Sequence, residues 1–324
     1  MNLLFTSVGR RVSLLQQFKE SQQKLNLDGC IVAVDLKKNA PAAFVADYAE
    51  SVPGIRAPHY IDSLLDICKR YDIELVIPLI DSELALLSQS RDRFNQAGIK
   101  LLVSSPEVNQ ICIHKANTYQ FFKDNQINTP ELFSFDEVAS NTHFSYPAIV
   151  KPADGSCSVG VNKVSTFEEL DFFFHHTQNA LIQEYVSGQE YTLDILLDFE
   201  GRLHMVVPRL RLETRAGEIS KGITVKDPQI IAAGKQVAEA LPGAIGCITA
   251  QCFVTSEGEI KFIEINPRFG GGFPLSYQAG ADYPGYLMRM LKGETLNLAL
   301  DDWDDKVAML RYDDAIFTTS AAIA

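Results

Sequence analysis

Between residue 2 and about residue 105, short apolar runs alternate with segments whose apolar residues recur at helical spacing, and nothing constrains the fold of this chain more. The runs NLLFTSV, GCIVAVDL, ELVIPLI and IKLLVSS have the length and β-branched content of strands, while residues 10–25, 59–71 and 81–97 carry the helical period between them. Such alternation predicts a small doubly wound α/β domain. The turn after the first run, TSVGRRVS, lacks the three spaced glycines of a dinucleotide fingerprint, which disfavours a nicotinamide-dependent oxidoreductase. Gly9, Arg10, Asp35 and Glu83 fall in loops at the strand C-terminal ends, where they either hold a small ligand or act as caps and surface pairs.

The pattern then changes. SSPEVNQICIHKANTYQFFKDNQINTP offers a capping serine and two helices, the second ended before Pro130. Residues 145–164 read as strand, glycine-containing loop and strand. After them come a helix in TFEELDFFFHHT, a strand running into LIQEYVSGQEYTLDILLD, and a strand in RLHMVVPRL. A polar loop RLETRAGEISKGITV, a helix over about 228–241 and the strands CITAQCFV and IKFIEINP complete an α+β unit. The expected domains are 1–108, 109–184 and 185–324.

With 46% hydrophobic and 22% charged residues, the chain belongs to the soluble globular class. Its 29 basic and 41 acidic residues give a net charge of -12, which argues against a nucleic-acid or anionic-membrane surface and requires any phosphate site to be built locally. The positive charges of MNLLFTSVGRR follow a very short apolar run, the reverse of a secretory signal, and no run approaches the ~20 apolar residues of a membrane span. A cytoplasmic location is expected. The six cysteines form no CxxC pair and are expected to be reduced, and the adjacent His175 and His176 point apart, which disfavours zinc.

Three stretches carry chemistry. In VKPADGSCSVGV, Lys151 ends an apolar strand and is followed by Gly155, Ser156, Ser158 and Gly160; this is either a loop whose N–H groups cradle phosphate or a ligand-free hairpin. Lys115 would be a second cation if the fold brings it near. In QEYVSGQEYTLD, Tyr185 and Val186 offer an apolar wall for an adenine and Glu190 an acceptor for ribose hydroxyls; the alternative is a connecting strand with a turn at Ser187-Gly188. In EINPRFGGG, Glu264, Asn266 and Arg268 alternate and so share one face of an extended chain. Antiparallel pairing with TAQCFV across the turn TSEGE would add Gln251 to that face. One carboxylate with amide oxygens suits a magnesium ion whose shell is completed by water and substrate phosphates, and Arg268 can stabilise charge on a transferring phosphoryl group.

In this order, Lys115, VKPADGSCSVG, QEYVSGQE, TAQCFV and FIEINPRFGGG resemble the ATP-grasp superfamily, and nearly the whole chain resembles one half of the carbamoyl phosphate synthetase large subunit. The resemblance implies a preATP-grasp α/β domain followed by a two-lobed ATP-grasp fold, with ATP and magnesium, or manganese in its place, as cofactors. It implies phosphate-binding roles for Lys115 and Lys151, with Lys151 also catalytic, and a lid at 154–160. Gln183, Glu184, Tyr185 and Val186 become the adenine hinge and Glu190 the ribose acid; Gln251, Glu264 and Asn266 become metal ligands, and Arg268 the catalytic arginine near the acceptor. The implied activity is an ATP-dependent carboxylate–amine, or other nucleophile, ligase working through an acyl phosphate on small-molecule substrates and leaving room for a homodimer. The alternative is an ATP-binding regulatory protein without turnover. Thr249 stands where carbamoyl phosphate synthetases carry an asparagine for bicarbonate, and this chain has one half rather than two, so bicarbonate is not expected as the substrate. Arg211, Arg215 and Lys221 lie in a basic loop that either meets a substrate carboxylate or is solvated.

Overall fold

The computed structural model describes residues 1–155, 159–215 and 217–323. Its first unit strings together β1 (Leu3–Thr6), α1 (Val12–Lys24), β2 (Ile31–Asp35), β3 (Tyr48–Ser51), α2 (Tyr60–Arg70), β4 (Leu75–Pro78), α3 (Asp81–Gln89), α4 (Arg91–Gln96) and β5 (Lys100–Leu101). The five strands form a parallel sheet in the order β3-β2-β1-β4-β5, as the alternation predicts. Only β3, whose residues are mostly exposed, carries no apolar run to announce it. Both faces of the sheet are buried, the usual state of a parallel sheet. Leu3, Phe5, Ile31 and Ile77 face one core, and Leu4, Val32, Val34 and Val76 another.

Two helices lead out of this unit. Ser105 accepts from Val108 N at 3.2 Å to cap α5 (Pro106–Ile113), and α6 (Lys115–Asp124) follows. A small antiparallel sheet of order β6-β9-β7-β8 is made by β6 (Leu132–Phe133), β7 (Ala148–Pro152), β8 (Asn162–Val164) and β9 (Ala180–Glu184), with α7 (Phe135–Ser140) and α8 (Phe167–His176) between strands. It closes over its own core of Val138, Val150, Leu170 and Ile182.

The third sheet is the largest. Its strands β10 (Gly188–Leu197), β11 (Leu203–Arg215), β12 (Glu218–Thr224), β13 (Gly246–Thr255), β14 (Ile260–Asn266) and β15 (Ala308–Leu310) lie in the order β14-β13-β10-β11-β12-β15; α9 (Pro228–Ala240), α10 (Phe273–Gln278) and α11 (Tyr283–Leu291) complete it. In the stretch expected to be a polar loop, 211–225, the end of β11 instead pairs antiparallel with β12. Arg209 faces Thr224 and Arg215 faces Glu218, with two register shifts that let polar side chains stand on a bent ribbon. β15 pairs with β12 and so recruits part of the C-terminal tail into the sheet.

Register divides the large sheet into two chemically distinct faces. Thr192 pairs with Gln251 and with Arg209, Asp194 with Thr249, Gln251 with Glu264, and Thr249 with Asn266, so these polar residues share a face with Glu190 and Arg211. On the other face Leu193, Ile195, Val206, Ile248 and Cys252 are buried with Ile230 and Val237 of α9. A Cβ at Gly234 would stand 2.7 Å from Leu193 Cδ2 and 2.8 Å from Val206 Cγ1, which explains a glycine in the middle of this helix despite its cost there.

Aromatic contacts join the first unit to the segment that follows the large sheet. Phe18 of α1 meets Phe5 at 4.8 Å and Phe269 at 5.6 Å between ring centroids, and Phe269 meets Phe273 at 4.8 Å. On the polar face, Arg209 and Asp194 form a fully buried bidentate ion pair at 2.7 and 3.0 Å. Ser276 donates to the same carboxylate at 2.6 Å, and the Tyr283 hydroxyl donates to the Asp194 carbonyl at 2.9 Å. Removing the acid strands a charge without solvent. Asp194→Ala is therefore expected to lower urea-unfolding stability by about 3–5 kcal/mol, whereas the double change Asp194→Leu with Arg209→Met recovers most of that loss. A single-variant loss no larger than that of an exposed substitution would show that the pair is not holding the sheet.

Candidate active site

A cavity of about 280 Å³ lies between the small and large antiparallel sheets. The small sheet contributes Ile149, Lys151 and Gln183; the connection into β10 contributes Tyr185 and Val186; and the large sheet contributes Gly188, Glu190, Gln251, Phe253, Ile263 and Glu264. Lys115, Gly155, Val159 and Val161 complete the wall. Of the residues singled out in the sequence, Lys115, Lys151, Gly155, Gln183, Glu184, Tyr185, Val186, Glu190, Gln251 and Glu264 thus meet at one place.

Lys151 sits on the inward face of β7 because Ile149, two residues earlier, points the same way and pairs with Gln183. Only 7% of Lys151 is exposed, and its Nζ donates to Gln183 Oε1 at 2.6 Å. Burial brings its pKa down to about 8; the neighbouring Lys115 charge acts in the same direction and Glu264 opposes it. Lys115 opens α6, and its Nζ donates to the Gly155 carbonyl at 2.9 Å, tying the glycine-containing loop to the helix. His114 makes a second tie to that loop through Asp154. Gly155 has φ +100°, and Gly160 has φ +74° with Pro152 Cγ 3.0 Å from where a Cβ would be; both positions favour glycine. Ser156 and Ser158 lie outside the described residues.

On the opposite wall, cross-strand pairing sets Gln251 directly against Glu264, with a bulge immediately after it. Asn266 is buried and accepts from Arg268 Nη2 at 3.3 Å, one step beyond the cavity lining. Arg268 is held by Asp81 of the first unit, whose Oδ2 accepts from Nε at 3.1 Å and from Nη2 at 2.6 Å. Asp81, at the strand-to-helix junction of ELVIPLIDSE, is a partner of Arg268 that the sequence did not single out; a carboxylate at the C-terminal end of a strand was the available signal. Among the described residues no group of three or more His, Cys, Asp and Glu side chains is placed to hold a metal, so Glu264 with amide oxygens fits an oxygen-seeking cation only when phosphates complete the shell.

The basic candidates separate. Arg211 is buried beside the cavity, ion-paired with Glu190, and donates to Gln251 Oε1 at 3.2 Å and to the Gly217 carbonyl at 2.7 Å. Burial raises the Glu190 pKa, and Arg211 pulls it back. Arg215 pairs with Asp313 and Lys221 with Glu213, both at exposed positions of the hairpin and neither lining the cavity. Glu184 lines the cavity while its carboxylate pairs with Lys261 at 2.5 Å and accepts from Glu131 N at 3.1 Å; Lys261 gave no signal in the sequence beyond being a charge on a strand. Glu83 is fully buried, and its carboxylate oxygens accept from Thr6, Ser7, Tyr60 and the Leu79 amide; Asp35 accepts from Gly9 N at 2.9 Å. These acids hold the first unit's loops in place, while Arg10 is exposed.

Known proteins of similar sequence and fold identify the family. A model of the ATP-grasp domain matches residues 112–272, and one of the PylC-like N-terminal domain matches residues 3–102. The chain belongs to the ATP-grasp superfamily, with a PylC-like domain in front of the ATP-grasp domain. It is 24% identical over 260 residues to formate-dependent phosphoribosylglycinamide formyltransferase of Trichormus variabilis, covering 75% of this chain and 64% of that one. To D-alanine–D-alanine ligase of Aquifex aeolicus it is 27% identical over 173 residues, covering 48% and 58%. The chain thus spans about six-tenths of the length of these two relatives. In fold it is similar to the biotin carboxylase domain of Hydrogenobacter thermophilus 2-oxoglutarate carboxylase, solved with magnesium ADP and bicarbonate, with a TM-score of 0.73 at 18% identity over 94% of this chain and 73% of that one.

The depressed Lys151 pKa has a sign that can be checked. Between about pH 8 and 10.5 the unfolded chain holds more protons at this site than the folded one, so its contribution to stability rises with pH through that window. A polyanion entering the cavity stabilises the charged amine. Binding of tripolyphosphate at about pH 9 should take up about one proton and at about pH 6.5 almost none from this site, as read by calorimetry in buffers of different ionisation enthalpy. Lys151→Met should remove the difference; equal uptake in both proteins would assign the titration elsewhere.

Proposed function

We propose that this chain is an ATP- and Mg²⁺-dependent ligase that activates a small carboxylic acid as an acyl phosphate and joins it to an amine or another nucleophile. The observation that carries this reading is the meeting of Lys115, Lys151, Gln251 and Glu264 at one cavity that also has an apolar wall of Ile149, Val186, Phe253 and Ile263. A purine ring suits the apolar wall, with Glu190 as acceptor for ribose hydroxyls, and a polyphosphate suits the cations Lys115 and Lys151 beside Gly155.

In the first step an oxygen of the acid attacks the γ-phosphorus, the bond to the ADP oxygen breaks, and ADP departs with that electron pair. In the second, the nitrogen of the amine attacks the acyl carbon, the carbon–oxygen bond to phosphate breaks, and the amine proton passes to solvent. Lys115 and Lys151 neutralise phosphate charge, and Arg268, fixed by Asp81, orients the acid and offsets charge during transfer. Glu264, with Gln251 and Asn266, would hold a magnesium ion, which neutralises the phosphates when bound; manganese, also suited to oxygen donors, should substitute. The acid is proposed as a carboxylic acid rather than bicarbonate, because the Thr249 hydroxyl is occupied by the Arg268 carbonyl at 3.0 Å. A cytoplasmic setting belongs to the same proposal and is supported by the free thiols of Cys30, Cys68, Cys112, Cys247 and Cys252.

Incubation of the chain with ATP, Mg²⁺ and panels of acid and amine should release ADP and phosphate in equal amounts only when a productive acid is present. Lys151→Ala and Glu264→Ala are each expected to lower turnover by about 10²-fold or more while the circular dichroism spectrum stays native. Release of AMP, or turnover without a divalent ion, would overturn the mechanism. Slow ATP hydrolysis indifferent to every acid would instead favour an ATP-binding regulatory protein.

A further inference from the structure

Where the first unit meets the large sheet, charges fail to balance. Arg11, the residue before α1, has a buried Nη1 with no hydrogen-bond partner. Its nearest acid is Glu218, whose Oε1 lies 3.6 Å away, too far for a hydrogen bond, while Oε2 of the same carboxylate accepts from Arg311 at 3.1 Å. Arg268 is satisfied by Asp81. Arg268 draws on Glu264 as well as Asp81, Arg311 takes Glu218 Oε2, and the missing hydrogen bond falls on Arg11. Burial, together with the positive charges of Arg268 and Arg311, pushes the Arg11 pKa below its ordinary value; Glu218 and Asp81 resist.

A guanidinium does not escape this position by losing its proton, so a buried N–H without a partner is an uncompensated cost in the structure as it stands. A tether to Glu218 would not explain it: Arg209 leaves its own Nη1 unpartnered but closes Nε and Nη2 on Asp194 as a structural fork, whereas Arg11 reaches Glu218 only at 3.6 Å. The surface at this point is backbone. A Cβ at Gly271 would overlap Arg11 Nη1 and stand 2.7 Å from Glu218 Oε1, so a side chain there would cover the guanidinium. In a chain of net charge -12, such a positive island is a local construction.

We propose that Arg11 and Arg311 form an anion subsite and that the acid substrate carries, besides the carboxylate that reacts beside Arg268, a second anionic group that this subsite holds. The substrate class is then a dicarboxylic or a phosphorylated acid. The proposal rests on the ligase reading for the identity of its ligand as substrate.

The test uses calorimetric binding to the full chain at fixed ionic strength, with succinate, phosphoglycolate and the monoanion butyrate as probes and ADP as a separate report on the nucleotide cavity. At least one of succinate and phosphoglycolate should bind about tenfold or more tightly than butyrate, because a charge-assisted pair is added. The better of succinate and phosphoglycolate then tells a dicarboxylic from a phosphorylated substrate. Arg11→Met should erase the preference and leave ADP affinity unchanged, and Arg11→Lys should keep part of it. If Arg11→Met does not fold, Arg311→Met, at a more exposed position, carries the same expectation. Equal binding of all three probes to the unmodified chain, or a preference that survives both methionine variants, overturns the subsite. Failure of ADP to bind would instead strike the ligase reading itself.

Discussion

The pairing of β13 with β14 is the constraint on which the site depends. Because Gln251 faces Glu264 and Thr249 faces Asn266, two strands that separately hold scattered polar residues present them as one row. A slip of one residue would turn that row into the packing against α9 and expose Ile248, Ala250 and Ile265 in its place. The apolar face thus fixes the polar one. Burial of Ile248, Cys252 and Ile265 sets the register, and the register delivers the oxygen atoms to the cavity.

Much of this was legible in the chain. Period-two spacing in FIEINPR and the short turn before it predict the Gln251–Glu264 opposition, and the apolar runs of the first hundred or so residues predict the parallel sheet. The continuation of β11 past Leu210 and its pairing with β12 were hidden for a physical reason. That continuation exposes Leu212, Glu213, Thr214 and Arg215 beyond the body of the sheet, so no buried alternation marks it. Arg11 and Asp81 were hidden for another. Each earns its place only through partners far along the chain, Glu218 for one and Arg268 for the other, and local spacing carries no trace of such partners.

Electrostatics on the polar face is arranged by depth. At the bottom, Asp194 and Arg209 close on one another through a bidentate pair and serve the fold. Toward the cavity, Glu190, Arg211 and Gln251 are coupled, so a ligand hydroxyl approaching Glu190 must share that acid with a guanidinium. At the junction with the first unit, cancellation is incomplete. The same face therefore passes from closed pairing to open valence along its length, in a protein whose overall charge would repel the anions it is proposed to use.

The glycine triplet at 270–272 has a consequence for how such a chain can change over time. Each position abuts a side chain from a different part of the molecule: Thr249 for Gly270, Arg11 and Glu218 for Gly271, and Arg209 for Gly272. The segment works like a feeler gauge, with three separate clearances measured by one short piece of backbone. Selectivity can drift at the flanking arginines, one at a time, while the gauge itself tolerates almost no thickening, so descendants with altered appetites should differ around this triplet far sooner than within it.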